Sequence, residues 1–194
     1  MTNQILCVPQ RGIGDLVHTL PLIHSLRAAF RESKIVIPVV DKRQENDSQE
    51  MENLFEGILS FSYRQINEDL EKRRLELYKS KDFPERYSLE ADKRLVFEKE
   101  MYDYYLDGEE YSLAVVLRKF RIENLNCPVQ LTLHNLDRVE REHIVDRNLR
   151  FMDVLKKPKL LDFSFGIKRN ERSAAVPKFP KDYVVFFLER WKTN

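Results

Sequence analysis

Cysteine is nearly absent, and so is any excess of charge. Only Cys7 and Cys127 occur in the 194 residues. There is no CxxC spacing and no cluster of histidines to complete a metal tetrahedron, so no metal site is expected and both thiols read as free and buried. Lysine and arginine (33) almost cancel aspartate and glutamate (32), which removes the broad positive field that nucleic-acid binding needs; any basic site has to be local. No stretch approaches the roughly 18–20 apolar residues that cross a bilayer. Met1-Thr2-Asn3-Gln4 is not a basic leader ahead of an apolar run, so a cytoplasmic chain is expected. Internal repeats and low-complexity tracts are missing too. What remains, 42% hydrophobic and 34% charged, suits one globular domain with a tail.

The pattern along the chain is that of an α/β domain. Ile5-Leu6-Cys7-Val8 is a continuous apolar run, the mark of a central strand covered on both faces of a parallel sheet. A turn with two glycines follows, and then Leu16, Leu20, Ile23, Leu26 and Phe30 recur at helical spacing. Pro21 lacks an N–H and crowds the carbonyl four residues back, so this helix either kinks there or starts near Thr19 as its N-cap. Ile35 to Val40 forms the next strand, with Pro38 marking a bulge or a place near the sheet edge and Asp41 at the strand's end. Strand, helix and strand of this size open a Rossmann-like sheet. Further on, residues 48–57 read as helix, 58–63 as strand, 64–108 as two solvated amphipathic helices, 111–117 and 129–133 as strands, and 142–155 as a helix closed by cations near its negative end. Residues 168–182 carry charge, two prolines and small side chains, the composition of a linker. A new apolar run begins at Tyr183.

Chemistry is concentrated at the first turn. Arg11-Gly12-Ile13-Gly14-Asp15 lies at the carboxyl end of the opening strand, the edge where ligands bind in open parallel sheets. Its glycines let a ligand approach the backbone, and free N–H groups at the helix start favour an anion. Val17 stands where a GxGxxG motif has its third glycine, and no GKS or GKT follows, so nicotinamide and P-loop readings are weak. Asp41 is too generic to restore a nicotinamide or methyl-donor reading. Asp15 either caps the helix or faces the cleft, where its carboxylate has the reach to take a proton from a substrate hydroxyl if burial raises its basicity.

The run Arg11 to Ile23 resembles the opening signature of glycosyltransferase family 9, the ADP-heptose:lipopolysaccharide heptosyltransferase type. His143 to Leu149 is similar to that family's histidine-containing helix start, and Tyr183 to Phe186 with Arg190-Trp191-Lys192-Thr193 is similar to the first strand and donor-phosphate loop of its second domain. The resemblance implies a GT-B fold, of which this chain would be the amino-terminal half: a Rossmann-like acceptor domain over 1–167, a linker over 168–182 and the start of a donor-binding domain over 183–194. It implies an inverting transferase that needs no metal or other cofactor. Asp15 would be its general base and Gly12 and Gly14 would lie near donor phosphates. His18 and Thr19 would line the cleft, and Arg190 and Lys192 would meet the donor diphosphate. The implied partners are an ADP-sugar, a phosphorylated lipopolysaccharide core acceptor and a peripheral contact with a membrane surface.

Arg118, Lys119 and Arg121 follow the fourth strand and share the ligand edge with Asp15. They either bind phosphates of the acceptor or form a solvated basic loop. His143 and Arg147 share a helical face, which holding the helix against the sheet explains equally well. A transferase of this kind positions donor and acceptor between two domains, so one half by itself is expected to have little activity. The rival reading is a non-catalytic Rossmann-like binding module.

Overall fold

The computed structural model describes residues 3–10, 13–42, 44, 45, 52, 55, 57–78, 89–137 and 139–164. Five strands form one all-parallel sheet: β1 (Gln4–Val8), β2 (Lys34–Val39), β3 (Ser60–Tyr63), β4 (Leu113–Val116) and β5 (Gln130–Thr132). Their order across the sheet is β3-β2-β1-β4-β5. The helices are α1 (Ile13–Ala29), α2 (Glu68–Tyr78), α3 (Leu89–Tyr105) and α4 (Ile144–Val154), with a 3-10 turn at Leu133–Asn135.

The apolar run of β1 makes it the middle strand, paired to β2 through Ile5↔Ile35 and to β4 through Cys7↔Val115. Successive side chains enter opposite layers, as the period-2 pleat requires. Ile5 and Cys7, with Ile35, Ile37, Leu113 and Val115, pack beneath Leu16, Leu20, Ile23 and Leu26 of α1 and Phe151 and Met152 of α4. Leu6 and Val8, with Val36, Ala114 and Val116, pack against Phe97, Met101, Tyr102 and Tyr105 of α3. Helices on both faces of a parallel sheet make the fold Rossmann-like. Burial pushes the Cys7 thiol up to about 12, which leaves it a small hydrophobe at neutral pH. Cys127 is only partly buried, and its Sγ donates to the Val129 carbonyl at 3.0 Å.

Several expectations need correction. α1 does not begin at Thr19; it runs through Pro21 from Ile13. The Thr19 hydroxyl donates to the Asp15 carbonyl at 2.7 Å and the Ser25 hydroxyl to the Pro21 carbonyl at 2.7 Å, so a side-chain bond lies on each side of the proline. Burial of Leu20, Leu22, Ile23 and Leu26 holds the helix together against the proline's local cost of about 3 kcal/mol. Pro38 does lie near the sheet edge, on β2 next to the edge strand β3 and beyond Leu6↔Val36, the last pair on the β1 side, where a missing donor is tolerated.

The charged segment 64–108 is not simply solvated. Phe97, Met101 and Tyr105 recur at a four-residue spacing and are buried on the sheet, while charges on the outer side pair with one another, as Arg73 does with Glu100 at 3.0 Å. Strand ends shift inward by one or two residues at β3, β4 and β5. Ile58 and Leu59 both donate backbone N–H bonds to the Phe55 carbonyl in a turn where Gly57 has φ +73°. Most of the helix expected over 48–57, and all of 168–182 and 183–194, lie outside the described residues. No helix among the described residues is long and apolar enough to cross a membrane.

Candidate functional site

The strand order reverses between β1 and β4. In an open parallel sheet the loops leaving the carboxyl ends of two such strands part in opposite directions and leave a crevice. One wall is the first turn of α1, carrying Gly14 and Asp15. The other is the segment leaving β4, where Leu117 donates its N–H to the Val8 carbonyl at 2.8 Å and Arg118 and Lys119 follow. α4 packs against α1 and closes a third side. His143 caps α4 by accepting from the Val145 N–H at 3.3 Å, and its ring meets His18 edge-on with centroids 6.0 Å apart. One turn on, the Asn148 amide donates to the His18 carbonyl at 3.3 Å.

Asp15 sits within the first helical turn and is half-buried, and among the described residues its carboxylate takes no hydrogen bond. Burial raises its pKa above the usual aspartate value, and the charges of Arg118, His18 and Arg147 hold the rise back. A carboxylate made more basic by burial and left unbonded is suited to receive a proton.

The polar atoms around it are unusual. Apart from Arg64 Nε, every buried side-chain nitrogen or oxygen without a hydrogen-bond partner among the described residues belongs to this group: His18 Nδ1, Arg118 Nε and Nη2, Arg147 Nε and Asn148 Oδ1. Each such atom costs about 1–3 kcal/mol when left unpaired. Their concentration in one place singles it out from the rest of the described interior, where, Arg64 Nε aside, buried polar side chains are paired. Arg147 also lines a cavity of about 780 Å³ at the ends of β5 and α4, together with Lys119, His134 and Arg141. Another cavity, about 440 Å³, lies at the opposite edge of the sheet beside Arg27, Arg31 and Lys34.

The sequence-predicted residues fall into three groups. Asp15, His18 and Arg118 come together. Gly14 lies exposed in the same turn, and a Cβ built there would meet nothing within 4 Å, so packing within the protein does not demand glycine. Lys119 faces the larger cavity. Thr19 is fully buried with its hydroxyl committed to the Asp15 carbonyl, which removes it from the cleft wall. Arg121 is exposed, neither lining that cavity nor acting on Asp15. Gly12, Arg190 and Lys192 lie outside the described residues.

Arg147, Asn148 and Glu98, whose Oε2 lies 3.7 Å from Nη1 of Arg118, are the members that sequence reasoning did not assign to the site. The His143–Arg147 spacing signalled a shared face but gave no reason to aim it at Asp15. Glu98 stood in a run of charges with nothing to distinguish it. Asp41 belongs elsewhere: it is buried, and its carboxylate accepts from the Gln44 N–H at 2.8 Å.

No protein-family model matches the sequence, and no curated protein matches it. Among solved structures, the chain is similar to E. coli heptosyltransferase WaaC with ADP, at 14% identity and a TM-score of 0.44 over 82% of this chain and 49% of that one. It is also similar to the same enzyme with ADP-2-deoxy-2-fluoro heptose, at 14% identity and a TM-score of 0.42 over 82% of this chain and 50% of that one. The chain thus spans about half the length of the solved structures it matches.

Proposed function

We propose that this chain is the acceptor-side domain of a heptosyltransferase-like glycosyltransferase with GT-B architecture, and that Asp15 is its general base. In this reading Asp15 takes the proton from an acceptor hydroxyl as the oxygen attacks the anomeric carbon of an ADP-sugar and the nucleoside diphosphate departs. The acceptor is a phosphorylated sugar of a lipopolysaccharide core, its anionic groups drawn by Arg118, Lys119 and Arg147. Gly14 leaves its side of the crevice open to the donor. The observation that carries the reading is the placement of Asp15 at the switch-point crevice, made more basic by burial and facing cations whose donors lack partners. The opening motif from Arg11 to Ile23 supplies the choice of sugar transfer over other proton-abstraction chemistry.

The test is transfer from an ADP-sugar to a core acceptor, with the chain supplied together with a donor-binding half. Asp15→Asn keeps the size of the side chain and removes its basicity, so the rate is expected to fall by about 10²–10⁴. Equal transfer by the asparagine variant would dismiss Asp15 as the base.

A further inference from the structure

Among the described residues, Arg118 has an ion-pair partner on one side only. Its Nη1 lies 3.7 Å from Oε2 of Glu98, a buried carboxylate on α3. The other oxygen of that carboxylate, Oε1, accepts a 3.1 Å bond from the Tyr78 hydroxyl on α2. The opposite edge of the guanidinium, Nε and Nη2, is buried and has no partner among the described residues. Nε–H and Nη2–H point the same way and form the fork that meets two oxygens of a carboxylate or phosphate side by side.

We propose that Glu98 is a positioning residue: by engaging Nη1 it holds the Nε–Nη2 edge of Arg118 toward the crevice as a two-pronged receptor for an oxyanion of the acceptor. The inference rests on reading the crevice as an acceptor site, and it goes beyond that reading by giving the charged segment 64–108 a task. α2 and α3 contribute a tyrosine and a carboxylate that lock an arginine carried by the loop after β4. Among the described residues, Glu98 of α3 pairs with Arg118, and Asp15 of α1 feels the charges of Arg118, of His18 on its own helix and of Arg147 on α4. Glu98 is the acid that pairs directly with Arg118, and a flexible arginine held at one edge loses less freedom when its other edge binds.

The sign of the effect separates positioning from simple charge balance. Removing a nearby carboxylate strengthens the attraction of the crevice for anions, so a Glu98 that only neutralises charge gives tighter anion binding when lost. A Glu98 that orients Arg118 gives weaker binding. Inorganic phosphate is titrated into the full chain at fixed ionic strength while the Arg118 Nε–H resonance is followed by ¹⁵N NMR. The wild type is expected to show a saturable shift. Glu98→Gln is expected to bind phosphate about tenfold more weakly, the scale of one lost charge-assisted contact, and Glu98→Asp to recover part of the loss. Tyr78→Phe keeps the carboxylate and removes one hydroxyl, so it serves even if Glu98→Gln folds poorly; a loss of about two- to threefold is expected.

Unchanged or tighter binding in Glu98→Gln, or a wild-type Arg118 resonance that ignores phosphate, would overturn the proposal. Asp15→Asn removes a carboxylate and leaves the Glu98–Arg118 pair in place, so it is expected to retain the phosphate response or tighten it. Loss of the sugar-transfer reading and loss of the receptor are therefore seen in different variants.

Discussion

Two charged clusters sit at the same edge of the sheet, and they differ in how well they are satisfied. At the end of β2, Gln44 donates its N–H to Asp41 at 2.8 Å, accepts from the Val40 N–H at 2.9 Å and donates its side-chain amide to the Tyr102 hydroxyl at 3.0 Å. Beside it, Arg74 meets Glu71 with both prongs, Nε to Oε2 at 2.9 Å and Nη2 to Oε1 at 2.6 Å, and both residues are buried. At the crevice between β1 and β4, the Nε atoms of Arg118 and Arg147 are buried too, yet have no partner among the described residues. The first cluster is finished within the protein. The second is incomplete, and an incomplete buried network is tolerated where something else completes it.

The sharpest way to break that contrast is to damage the finished cluster. Glu71→Ala leaves Arg74 without its bidentate partner, and urea unfolding is expected to show a loss of about 3 kcal/mol. The Arg74 bond holds the Glu71 carboxyl below its usual range. A lowered folded pKa means this contribution is fully present above the unfolded value, near 4.3, and is lost as pH falls through the lower folded one. The wild type should therefore lose stability on acidification in that window and Glu71→Ala should not. At the crevice, Arg147→Met removes a cation that already lacks a partner at Nε, so the same unfolding measurement is expected to lie within about 1 kcal/mol of wild type. A loss as large as that of Glu71→Ala would show that the crevice is a structural cluster after all.

The parallel sheet was legible because β1 is apolar from Ile5 to Val8, a run that suits a strand covered on both faces. Its neighbours were legible from the same run of Val, Ile and Leu. Asp15 follows the carboxyl end of β1, as the order of strand, glycine turn and helix implies, although the sequence left the start of that helix open. The rest was hidden for physical reasons. Pro21 reads as a helix break from its own chemistry, and only burial along α1 overrules it. The segment 64–108 reads as solvated because its charges outnumber its apolar residues, although Phe97, Met101 and Tyr105 share one face. Glu98, Arg147 and Asn148 join the site through packing of α3 and α4, a relation that spacing along one helix does not carry. Thr19 misled because a hydroxyl near a proline reads as a cap or a cleft residue, whereas its bond to the carbonyl four residues back ties it inside the helix.

The central claim is that Asp15 is a half-buried, unbonded carboxylate made more basic by its burial and facing a cationic crevice. A pH titration of its side-chain carboxyl by ¹³C NMR in the full chain tests this directly. The midpoint is expected above the ordinary aspartate value of about 3.9, and it should rise further in Arg118→Met, because that guanidinium holds it down. A midpoint at or below the ordinary value, unmoved by loss of Arg118, would mean that the carboxylate is solvated or capped and has no part in taking a proton.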